Sequence, residues 1–481
     1  MNSMILPVVI AGGVGSRLWP LSRKMLPKQF IHFPQFEESL FQKTVQRADG
    51  IPNALPPLIV CNKSHQSWAV AQLKSIEVSE GGILLEPEGR NTAPAAAVAA
   101  LLAKETDPNI VMLILPADHA IKEMSNFQLA IQKAEKLASQ GYLVTFGIEP
   151  ESPETGYGYI EKGNAIDATA GFEVLNFTEK PNKSIAESYF RDGHFFWNSG
   201  MFLFSAQSYL NELELYAPDI FEACTHSFKE LKRANNLFEI PKLIFGKCRK
   251  DSIDYAVMEK TSRAAIIPLD VDWNDLGSWD SLAQLGPEDE HGNITIGDVQ
   301  AVSARNSYIQ SNNRFVAAVG VQDMVIVETS DAVLVAKKDS VQDVRKVAEE
   351  LESADREEAV TPLKVERPWG FYDSLARGNG YQIKQIVVRP GEALSLQLHH
   401  HRAEHWVVIA GKGIVTRDDE EMTFSKNESI HIPQGVPHRL SNPFSDNLEI
   451  VEVQIGEYLG EDDIVRLEDK YGRQGGPDEV K

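Results

Sequence analysis

The feature that most constrains this chain is a short apolar run that ends in a glycine-rich turn. Residues 5–10 are apolar and rich in β-branched side chains, which predicts a buried strand. Glycines follow it, so backbone amides can approach a ligand closely and form a nest for phosphate oxygens. Two cations further along, Arg17 and Lys28, would add positive charge. The alternative is a turn that only reverses the chain and leaves its basic residues solvated.

The spacing of these residues separates the turn from two common phosphate-binding motifs. Arg17 and Leu18 stand where a dinucleotide fingerprint has its third glycine, and no Lys-Ser/Thr pair follows as in a P-loop. The run instead resembles the signature of the sugar-nucleotide pyrophosphorylases, Gly-Gly-x-Gly-x-Arg-Leu-x-Pro-Leu-Ser/Thr followed by Pro-Lys. That signature holds a nucleoside triphosphate. The resemblance implies catalytic roles for Arg17 and Lys28 and a nucleotide-binding set of Gly12, Gly13, Gly15, Ser16, Arg17 and Lys28.

The hydrophobic pattern predicts the fold around this turn. From residue 5 to about residue 284, short apolar runs alternate with amphipathic stretches. This alternation predicts an α/β fold with a mostly parallel sheet covered by helices. With the resemblance, it indicates a Rossmann-like nucleotidyltransferase domain over residues 1–290. Ligands of such folds gather outside the carboxyl ends of the strands, so the loops there are the first candidates for a site.

A second candidate segment, residues 86–94, follows the third predicted strand. Asn91 or Thr92 could simply cap the helix that comes next. The segment also resembles the Glu-Pro-x-x-Arg-Asn-Thr-Ala-Pro motif of the mannose-1-phosphate guanylyltransferase branch. The resemblance implies that Glu86, Arg90 and Asn91 lie near the nucleotide.

Two aspartates are candidate ligands for Mg²⁺. Asp118 closes a predicted strand, and a carboxylate there suits a cation that also binds substrate phosphates. A lone aspartate in a loop is often only a turn residue. The family supplies a second carboxylate, and the resemblance places it at Asp275, with Asp270 and Asp272 as competitors.

Further segments resemble the family's contacts to a hexose phosphate. They lie within residues 156–160, 177–181, 197–202 and 252–259. Taken singly, the first is typical of a hairpin turn and the second of a surface loop. Together they imply a sugar-binding set of Gly156, Tyr157, Glu179, Lys180, Asn198 and Asp254.

The pattern changes after the first domain. Short strands separated by turn residues predict a small β-helix-like segment that ends in an amphipathic helix, over residues 291–351. This segment is a candidate for oligomer contacts, so a homo-oligomer stays open. Residues 352–364 are acidic and lack apolar periodicity, which indicates a linker to a last domain over residues 365–481.

The last domain carries a second cluster of candidate ligands. Strand alternation places Gln397, His399 and His401 on one face, Glu404 can reach the same point after a turn, and His438 would arrive from another strand. Such a mixed nitrogen and oxygen set suits Zn²⁺ or another divalent transition metal. A solvated, histidine-rich turn is the alternative.

The spacing around these residues resembles both halves of the cupin β-barrel pattern, and the Arg-Pro-Trp-Gly and His-Arg-x-Glu-His-Trp segments resemble the type II mannose-6-phosphate isomerases. The resemblance implies a divalent metal such as Zn²⁺, Co²⁺ or Mn²⁺. It also implies phosphate binding or enediolate stabilisation by Arg402 and Lys384, and proton transfer by His405. The implied metal ligands are Gln397, His399, Glu404 and His438.

Composition narrows the class of protein. The chain has 47 Lys and Arg against 69 Asp and Glu, which argues against nonspecific binding to nucleic acid or anionic membranes. Its three cysteines lack metal-like or redox spacing, and no targeting or membrane-spanning segment is evident, so we expect a cytoplasmic protein.

The resemblance as a whole implies a bifunctional enzyme. One activity makes GDP-mannose and pyrophosphate from GTP and mannose-1-phosphate, and the other interconverts mannose-6-phosphate and fructose-6-phosphate. The product would serve polysaccharide synthesis. The alternatives are a guanylyltransferase with a non-catalytic cupin module, and a regulator that binds GDP-mannose without turning it over.

Overall fold

The structure is a computed structural model that describes residues 4–166 and 171–471. It divides into two compact units, Met1–Val360 and Thr361–Lys481, called here the first and second units.

The first unit is built on a sheet that has eleven strands among the described residues. The strands are β1 (Ile5–Ala11), β2 (Leu58–Asn62), β3 (Gly82–Glu86), β4 (Val111–Pro116), β5 (Leu143–Ile148), β6 (Tyr159–Ile166), β7 (Gly171–Thr178), β8 (Phe195–Ser205), β9 (Lys232–Ala234), β10 (Leu237–Glu239) and β11 (Ala264–Pro268). The helices of this unit are α1 (Leu40–Asp49), α2 (Gln66–Ile76), α3 (Thr92–Thr106), α4 (Met124–Ala138), α5 (Lys183–Asp192), α6 (Ala206–Tyr216), α7 (Pro218–Lys229), α8 (Lys242–Phe245), α9 (Trp279–Ala283), α10 (Val344–Ser353) and α11 (Glu357–Val360).

The strand order is β5-β11-β7-β6-β8-β4-β1-β2-β3-β10-β9, and the sheet is mixed. Strands β4, β1, β2, β3 and β10 pair in parallel, as expected for a Rossmann-like arrangement. Strands β6, β7 and β8 pair antiparallel with their neighbours. The apolar run of a buried strand has no direction of its own, so the sequence pattern did not reveal this antiparallel part.

The central strand β1 is buried on both faces. Leu6, Val8 and Ile10 enter one apolar core, whereas Val9 and Ala11 enter the core on the opposite side of the sheet. Helix α3, rich in alanine, packs on the first face. A strand covered on both sides reads as a continuous apolar run. Its carboxyl end is therefore held rigidly at the start of the glycine-rich turn.

The predicted β-helix-like segment is confirmed. Its strands are β12 (Ile294–Ile296), β13 (Val299–Val302), β14 (Tyr308–Ser311), β15 (Val316–Val319), β16 (Met324–Glu328) and β17 (Val333–Lys337). Strands β12, β14 and β16 stack in parallel, β13 pairs with β15 in parallel, and β17 closes the first stack antiparallel. Its apolar interior joins Leu18 and Trp279 in one core, so the segment supports the loop after β1.

The segment predicted as a linker, residues 352–364, has more structure than its acidic composition indicated. It contains the short helix α11, and the Trp19 indole donates a hydrogen bond to the Glu358 carbonyl at 2.9 Å. The amide of Met25 donates to the Val360 carbonyl at 2.9 Å. The acidic composition correctly predicts exposed side chains, but it carries no information about these contacts to the main chain.

The second unit is a β-barrel of two packed sheets. Its strands are β18 (Lys364–Arg367), β19 (Gly370–Gly378), β20 (Tyr381–Val388), β21 (Glu392–Ala393), β22 (Leu396–His399), β23 (Arg402–Ala410), β24 (Lys412–Arg417), β25 (Glu420–Ser425), β26 (Ser429–Ile432), β27 (His438–Asn442), β28 (Leu448–Gly456) and β29 (Ile464–Glu468). The sheet orders are β18-β19-β20-β28-β23-β26 and β25-β24-β27-β22-β29, and both sheets contribute to one apolar core. The predicted cupin-type barrel is confirmed.

Within the described ranges, no helix is both long enough and apolar enough to cross a bilayer.

Candidate functional site

The glycine-rich turn requires glycine for two separate reasons at Gly15. Its φ of 69° lies in the left-handed region, which disfavours residues with a side chain. A Cβ atom there would also lie 2.5 Å from the Cβ of Lys28. The turn continues into a 3₁₀ turn over Ser16–Leu18, which carries Arg17. The side chain of Gln29 donates a hydrogen bond to the Ala11 carbonyl at 2.9 Å. These contacts fold the basic segment back beneath the turn.

Lys28 contacts both predicted metal-binding residues, through the carboxylate of Asp118 and the main chain of Asp275. Its side chain is only 4% exposed, and its Nζ lies 2.8 Å from Oδ2 of Asp118. The same Nζ donates a hydrogen bond to the main-chain oxygen of Asp275 at 2.5 Å. Burial alone would raise the pKa of Asp118, but the Lys28 ammonium and His119 outweigh it, so the pKa is lowered. Asp118 is therefore ionised at neutral pH.

The structure distinguishes Asp275 from its two competitors. Asp272 forms an exposed pair with Lys122 at 2.6 Å, and Asp270 is also exposed. The loop that carries Asp275 is fixed by hydrogen bonds in both directions between the backbones of Ala120 and Asn274. Among the three acids, Asp275 is the one that meets the Lys28 ammonium.

Tyr157 does not stand free for a sugar. Its hydroxyl donates a hydrogen bond to Oδ1 of Asp275 at 2.9 Å, and the Gly277 amide donates to the same oxygen at 3.0 Å. Burial and the nearby Asp275 carboxylate raise the pKa of Tyr157, so the phenol remains a donor. Its ring packs edge-on against Trp197 and Trp273. We therefore interpret Tyr157 as the group that orients Asp275.

A cavity of about 1000 Å³ opens beside these residues. Its wall includes several of the predicted residues, namely Arg17, Gly156, Tyr157, Lys180 and Asp275. A volume of this size is enough for a nucleotide or a sugar phosphate.

Four of the predicted sugar-binding residues, Glu179, Lys180, Asn198 and Asp254, lie together. Asn198 donates from Nδ2 to Asp254 at 2.8 Å and accepts from the Thr145 hydroxyl at 3.0 Å. Lys180 and Glu179 form an ion pair at 2.6 Å. Burial and the Glu179 carboxylate raise the pKa of Asp254 to about 6. The group offers the paired acceptors and donors that sugar hydroxyls require.

Gly158 lies in the predicted 156–160 segment but was not assigned to the sugar-binding set, and it stands inside this group. A Cβ atom there would lie 2.5 Å from Oε2 of Glu179 and 3.3 Å from the Cβ of Asn198. The signal was present in the Gly-Tyr-Gly segment, where a second glycine two residues after Gly156 marks a close approach of the backbone.

The predicted nucleotide-binding residues of the segment 86–94 follow the carboxyl end of β3, but their side chains have separate partners. Glu86 ends β3, two strands from β1 and so about 10 Å across the sheet. Burial and Cys248 raise the pKa of Glu86 to about 8, and one of its carboxylate oxygens is buried without a hydrogen bond. Asn91 caps α3 through the Thr92 amide at 2.9 Å. Arg90 contacts the Gly246 carbonyl and lies 3.0 Å from Glu88.

In the second unit, three predicted metal ligands converge. The candidate ligand atoms of His399, Glu404 and His438 all lie within 4.8 Å of one another, and all three residues are buried. The Val436 carbonyl lies 2.9 Å from Nδ1 of His438, which directs Nε2 towards the group. The Nε2 atoms of both histidines are buried without a hydrogen bond of acceptable geometry. Orphaned ring nitrogens beside a carboxylate are the donor set that a divalent metal fits.

The charge states of this cluster also suit a metal. Burial lowers the pKa of His399, so its ring is neutral at pH 7. Burial alone would raise the pKa of Glu404, but His399 and His438 outweigh it and the pKa falls well below its usual range. Gln397 pairs with His438 across β22 and β27, which places both side chains on the same side of the sheet.

The two other predicted catalytic residues, Arg402 and His405, lie on opposite faces of strand β23. Arg402 and Glu404 point into the barrel, where the Arg402 guanidinium donates to Glu404 at 3.1 Å. His405 points outward, is exposed, and stacks on His431 with ring centres 4.4 Å apart. Neighbouring residues of a strand face opposite sides. The predicted proton transfer by His405 is therefore incompatible with its position.

Two further polar residues of the barrel interior escaped the sequence reasoning. Glu452 and Gln454 on β28 are buried beside Glu404, and the Trp406 indole donates to both Glu404 and Glu452 at 3.1 Å. Burial and the Glu404 carboxylate raise the pKa of Glu452 well above its usual range. The available signal was the register of β28, because both residues share the inward face with Leu448.

Comparisons with known proteins assign separate family models to three parts of the chain. Three family models match: Nucleotidyl transferase at residues 6–292, MannoseP isomerase/GMP-like beta-helix domain at residues 297–351, and Mannose-6-phosphate isomerase C-terminal at residues 354–469. The chain belongs to the nucleotidyl transferase family, among the members that also carry the β-helix and isomerase domains.

Similar proteins match over nearly the whole chain. Xanthan biosynthesis protein XanB of Xanthomonas campestris pv. campestris (strain B100) is 49% identical, and mannose-1-phosphate guanylyltransferase of Salmonella montevideo is 48% identical; each match covers 98% of this chain and 100% of the relative. Alginate biosynthesis protein AlgA of Pseudomonas aeruginosa is 46% identical over 98% of both chains. A crystal structure described as mannose-1-phosphate geranyltransferase from Thermus thermophilus is 30% identical, with a TM-score of 0.64 over 73% of this chain and 100% of that one.

The contact between Tyr157 and Asp275 gives a first prediction. Tyr157→Phe keeps the ring but removes one of the two hydrogen bonds to Oδ1 of Asp275. The Gly277 amide remains, so the carboxylate is held less firmly for a bound cation. We expect the dissociation constant for Mn²⁺, measured by titration of the first unit's site in the full chain, to rise about fivefold, the equivalent of one hydrogen bond of about 1 kcal/mol.

The matched control is Tyr381→Phe, since Tyr381 is an exposed tyrosine of the second unit. It should leave Mn²⁺ binding unchanged. Unchanged Mn²⁺ binding in Tyr157→Phe together with weaker sugar phosphate binding would instead assign Tyr157 to the sugar, as the resemblance implied.

Proposed function

We propose that the first unit transfers a guanylyl group from GTP to mannose-1-phosphate and releases pyrophosphate. The observation that carries the proposal is the meeting of Lys28 with Asp118 and Asp275 beneath the glycine-rich turn. The full-length similarity to a mannose-1-phosphate guanylyltransferase supports the choice of substrates.

In this proposal an oxygen of the sugar phosphate attacks the α-phosphorus of GTP in line, and pyrophosphate leaves. The attacking oxygen is already ionised, so no protein nucleophile is required. The amides of Gly12, Gly13 and Gly15, with Ser16, Arg17 and Lys28, hold the triphosphate and offset the negative charge that spreads in the transition state. Asp118 and Asp275 would hold Mg²⁺, which supplies Lewis-acid stabilisation of phosphate oxygens when bound.

The remaining residues of the first unit position the two substrates. Gly156, Glu179, Lys180, Asn198 and Asp254 form the proposed mannose-1-phosphate subsite, in which Lys180 meets the phosphate. The loop after β3 is assigned to the nucleotide, through Glu86, Arg90 and Asn91. Arg90 would have to leave the Gly246 carbonyl to reach it, so this part of the proposal is the one that demands a rearrangement.

We infer that the second unit interconverts mannose-6-phosphate and fructose-6-phosphate. Gln397, His399, Glu404 and His438 would hold a divalent ion such as Zn²⁺, Co²⁺ or Mn²⁺, which orients sugar oxygens and stabilises their charge when bound. Arg402, whose side chain is buried beside Glu404, would stabilise the enediolate. His405 has no role in this scheme.

The GDP-mannose would supply polysaccharide synthesis, since relatives are named for xanthan and alginate biosynthesis. The proposed location is the cytoplasm, where GTP and hexose phosphates are available. A guanylyltransferase with a non-catalytic barrel is disfavoured by the intact cluster of His399, Glu404 and His438. A non-catalytic regulator would not require Lys28 to contact both Asp118 and the main chain of Asp275.

Two substitutions test whether each unit has its own active site. Lys28→Ala should lower guanylyl transfer at least about 100-fold, the usual cost of one transition-state donor, and leave isomerisation within twofold. His399→Ala should do the reverse. Pyrophosphate release from GTP and mannose-1-phosphate measures the first activity, and fructose-6-phosphate formation measures the second.

The matched controls are Lys133→Ala, on the exposed face of α4, and His405→Ala, on the outer face of β23. Both should retain both activities within twofold. Loss of isomerisation in His405→Ala would restore the role that its position argues against, and transfer without isomerisation across several metals would reduce the proposal to a guanylyltransferase.

Metal removal gives a further prediction for the barrel. A ligand that binds only the folded state at 1,000 times its dissociation constant stabilises it by about 4 kcal/mol, so chelation should lower the unfolding temperature of the second unit by several degrees. His399→Ala should already show the lower temperature and no response to chelator. Calorimetry with metal analysis measures both effects.

The pH at which this metal is released is also expected to be low. Histidine must be neutral to bind, and burial lowers the pKa of His399 below the ordinary value of about 6.5. Proton competition therefore begins only below that pH. Half-release of metal above about pH 7 would contradict the assigned ligands.

A further inference from the structure

The second unit contains a buried ammonium group that none of the proposed metal ligands contacts directly. The side chain of Lys384 is 6% exposed, and its Nζ lies 4.6 Å from the ring centre of Tyr372. It lines a small cavity together with Arg367, Arg402, Gln397 and Glu404. The cations of this cavity are therefore next to the proposed metal site.

The Lys384 ammonium is already paired with a carboxylate. Glu461 lies in a single 3₁₀ turn, Glu461–Asp463, between β28 and β29, and its Oε1 accepts from Nζ of Lys384 at 2.5 Å. Partial burial of the carboxyl group would raise the pKa of Glu461, but Lys384 and Arg367 outweigh it and lower the pKa to about 2. The carboxylate is thus fully ionised.

Both partners of this pair line the cavity, but they differ in exposure. The side chain of Glu461 is 42% exposed, whereas that of Lys384 is 6% exposed. The ammonium is fixed in the barrel, and the carboxylate reaches it from the surface turn. The backbone of that turn is attached to the same cavity, because the Arg402 guanidinium donates to the Gly460 carbonyl at 3.0 Å.

The cations that line this cavity outnumber its carboxylates. Arg367, Lys384, Arg402 and Arg466 line it beside Glu404, Glu452 and Glu461. The Arg402 guanidinium is paired with Glu404. A phosphate monoester carries nearly two negative charges and three acceptor oxygens, so it suits several converging cations better than a single carboxylate does.

We propose that the Glu461 carboxylate occupies the subsite for the phosphate group of the sugar phosphate, and that a bound phosphate displaces it to solvent. This inference rests on the isomerase function proposed above. Glu461 acts as an internal competitor: it keeps Lys384 paired when substrate is absent and lowers the affinity for any anion that binds there.

The turn allows this exchange without unfolding of the barrel. Asp463 anchors one end, since its carboxylate accepts from the backbone amides of His400 and His401 at 3.1 and 3.2 Å. Strand β28 anchors the other end at Gly456. Rotation of the exposed Glu461 side chain is enough to release Lys384.

The test uses inorganic phosphate and the full-length protein, with binding measured by calorimetry at fixed ionic strength. Glu461→Gln should lower the dissociation constant of phosphate at least fivefold. The matched control is Asp462→Asn, which removes the same charge from the same turn, because Asp462 contacts Tyr458 and not the cavity cations. It should change phosphate binding by less than 1.5-fold.

A double variant isolates the subsite from phosphate binding elsewhere in the chain. Lys384→Met with Glu461→Gln removes both members of the pair, so no buried charge is left alone, and it should abolish the gain. A comparable gain in Asp462→Asn would overturn the proposal as a general charge effect. Weaker or unchanged binding in Glu461→Gln would also overturn it and make Glu461 a residue that only holds Lys384.

The isomerase assay separates this inference from the function on which it rests. A parallel fall in KM for mannose-6-phosphate in Glu461→Gln supports both. The phosphate result without any isomerisation supports an anion site and overturns the isomerase function. If Glu461→Gln still isomerises the sugar phosphate but binds inorganic phosphate as the unaltered protein does, the isomerase function stands. The role of Glu461 as an internal competitor is then overturned.

Discussion

The first unit depends on one ionic contact, that of the Lys28 ammonium with the Asp118 carboxylate. A buried ammonium without a partner costs several kcal/mol, so the chain must bring an acid to it. Asp118 comes from the end of β4 and the Asp275 carbonyl from the loop after β11, while Gly15 leaves room for the lysine stem. The contact therefore joins loops from three parts of the sheet into one site.

Most of this site could be predicted from local sequence, because each of its parts is formed by residues close together in the chain. The apolar run of β1, the glycine turn and the Asp at the end of β4 each depend on a few neighbouring residues. The choice of Asp275 over Asp270 and Asp272 was different in kind. It depends on contacts with Lys28 and Tyr157, more than 100 residues away, which no spacing rule reports.

The errors have equally specific causes. His405 follows Glu404 directly, so a sequence motif assigns both residues to the same site. Strand alternation nevertheless turns their side chains to opposite faces of β23. Glu452 was missed for the converse reason: nothing in its neighbourhood resembles a catalytic motif, yet β28 carries it inward beside Glu404. Applying alternation to every polar residue in the barrel strands would have corrected both. The antiparallel strands β6 to β8 had no such remedy, since direction leaves no trace in an apolar run.

The excess of acids over bases in this chain acquires a structural meaning at its two candidate phosphate sites. Lys28 and Lys384 are both buried, and each is already paired with a carboxylate of the chain. An unpaired buried ammonium is costly, so each carboxylate stabilises the ligand-free protein. Under the functions proposed above, a triphosphate or a phosphate dianion would pair with such a lysine more strongly than an anion of single charge, because it carries more charge and more acceptor oxygens.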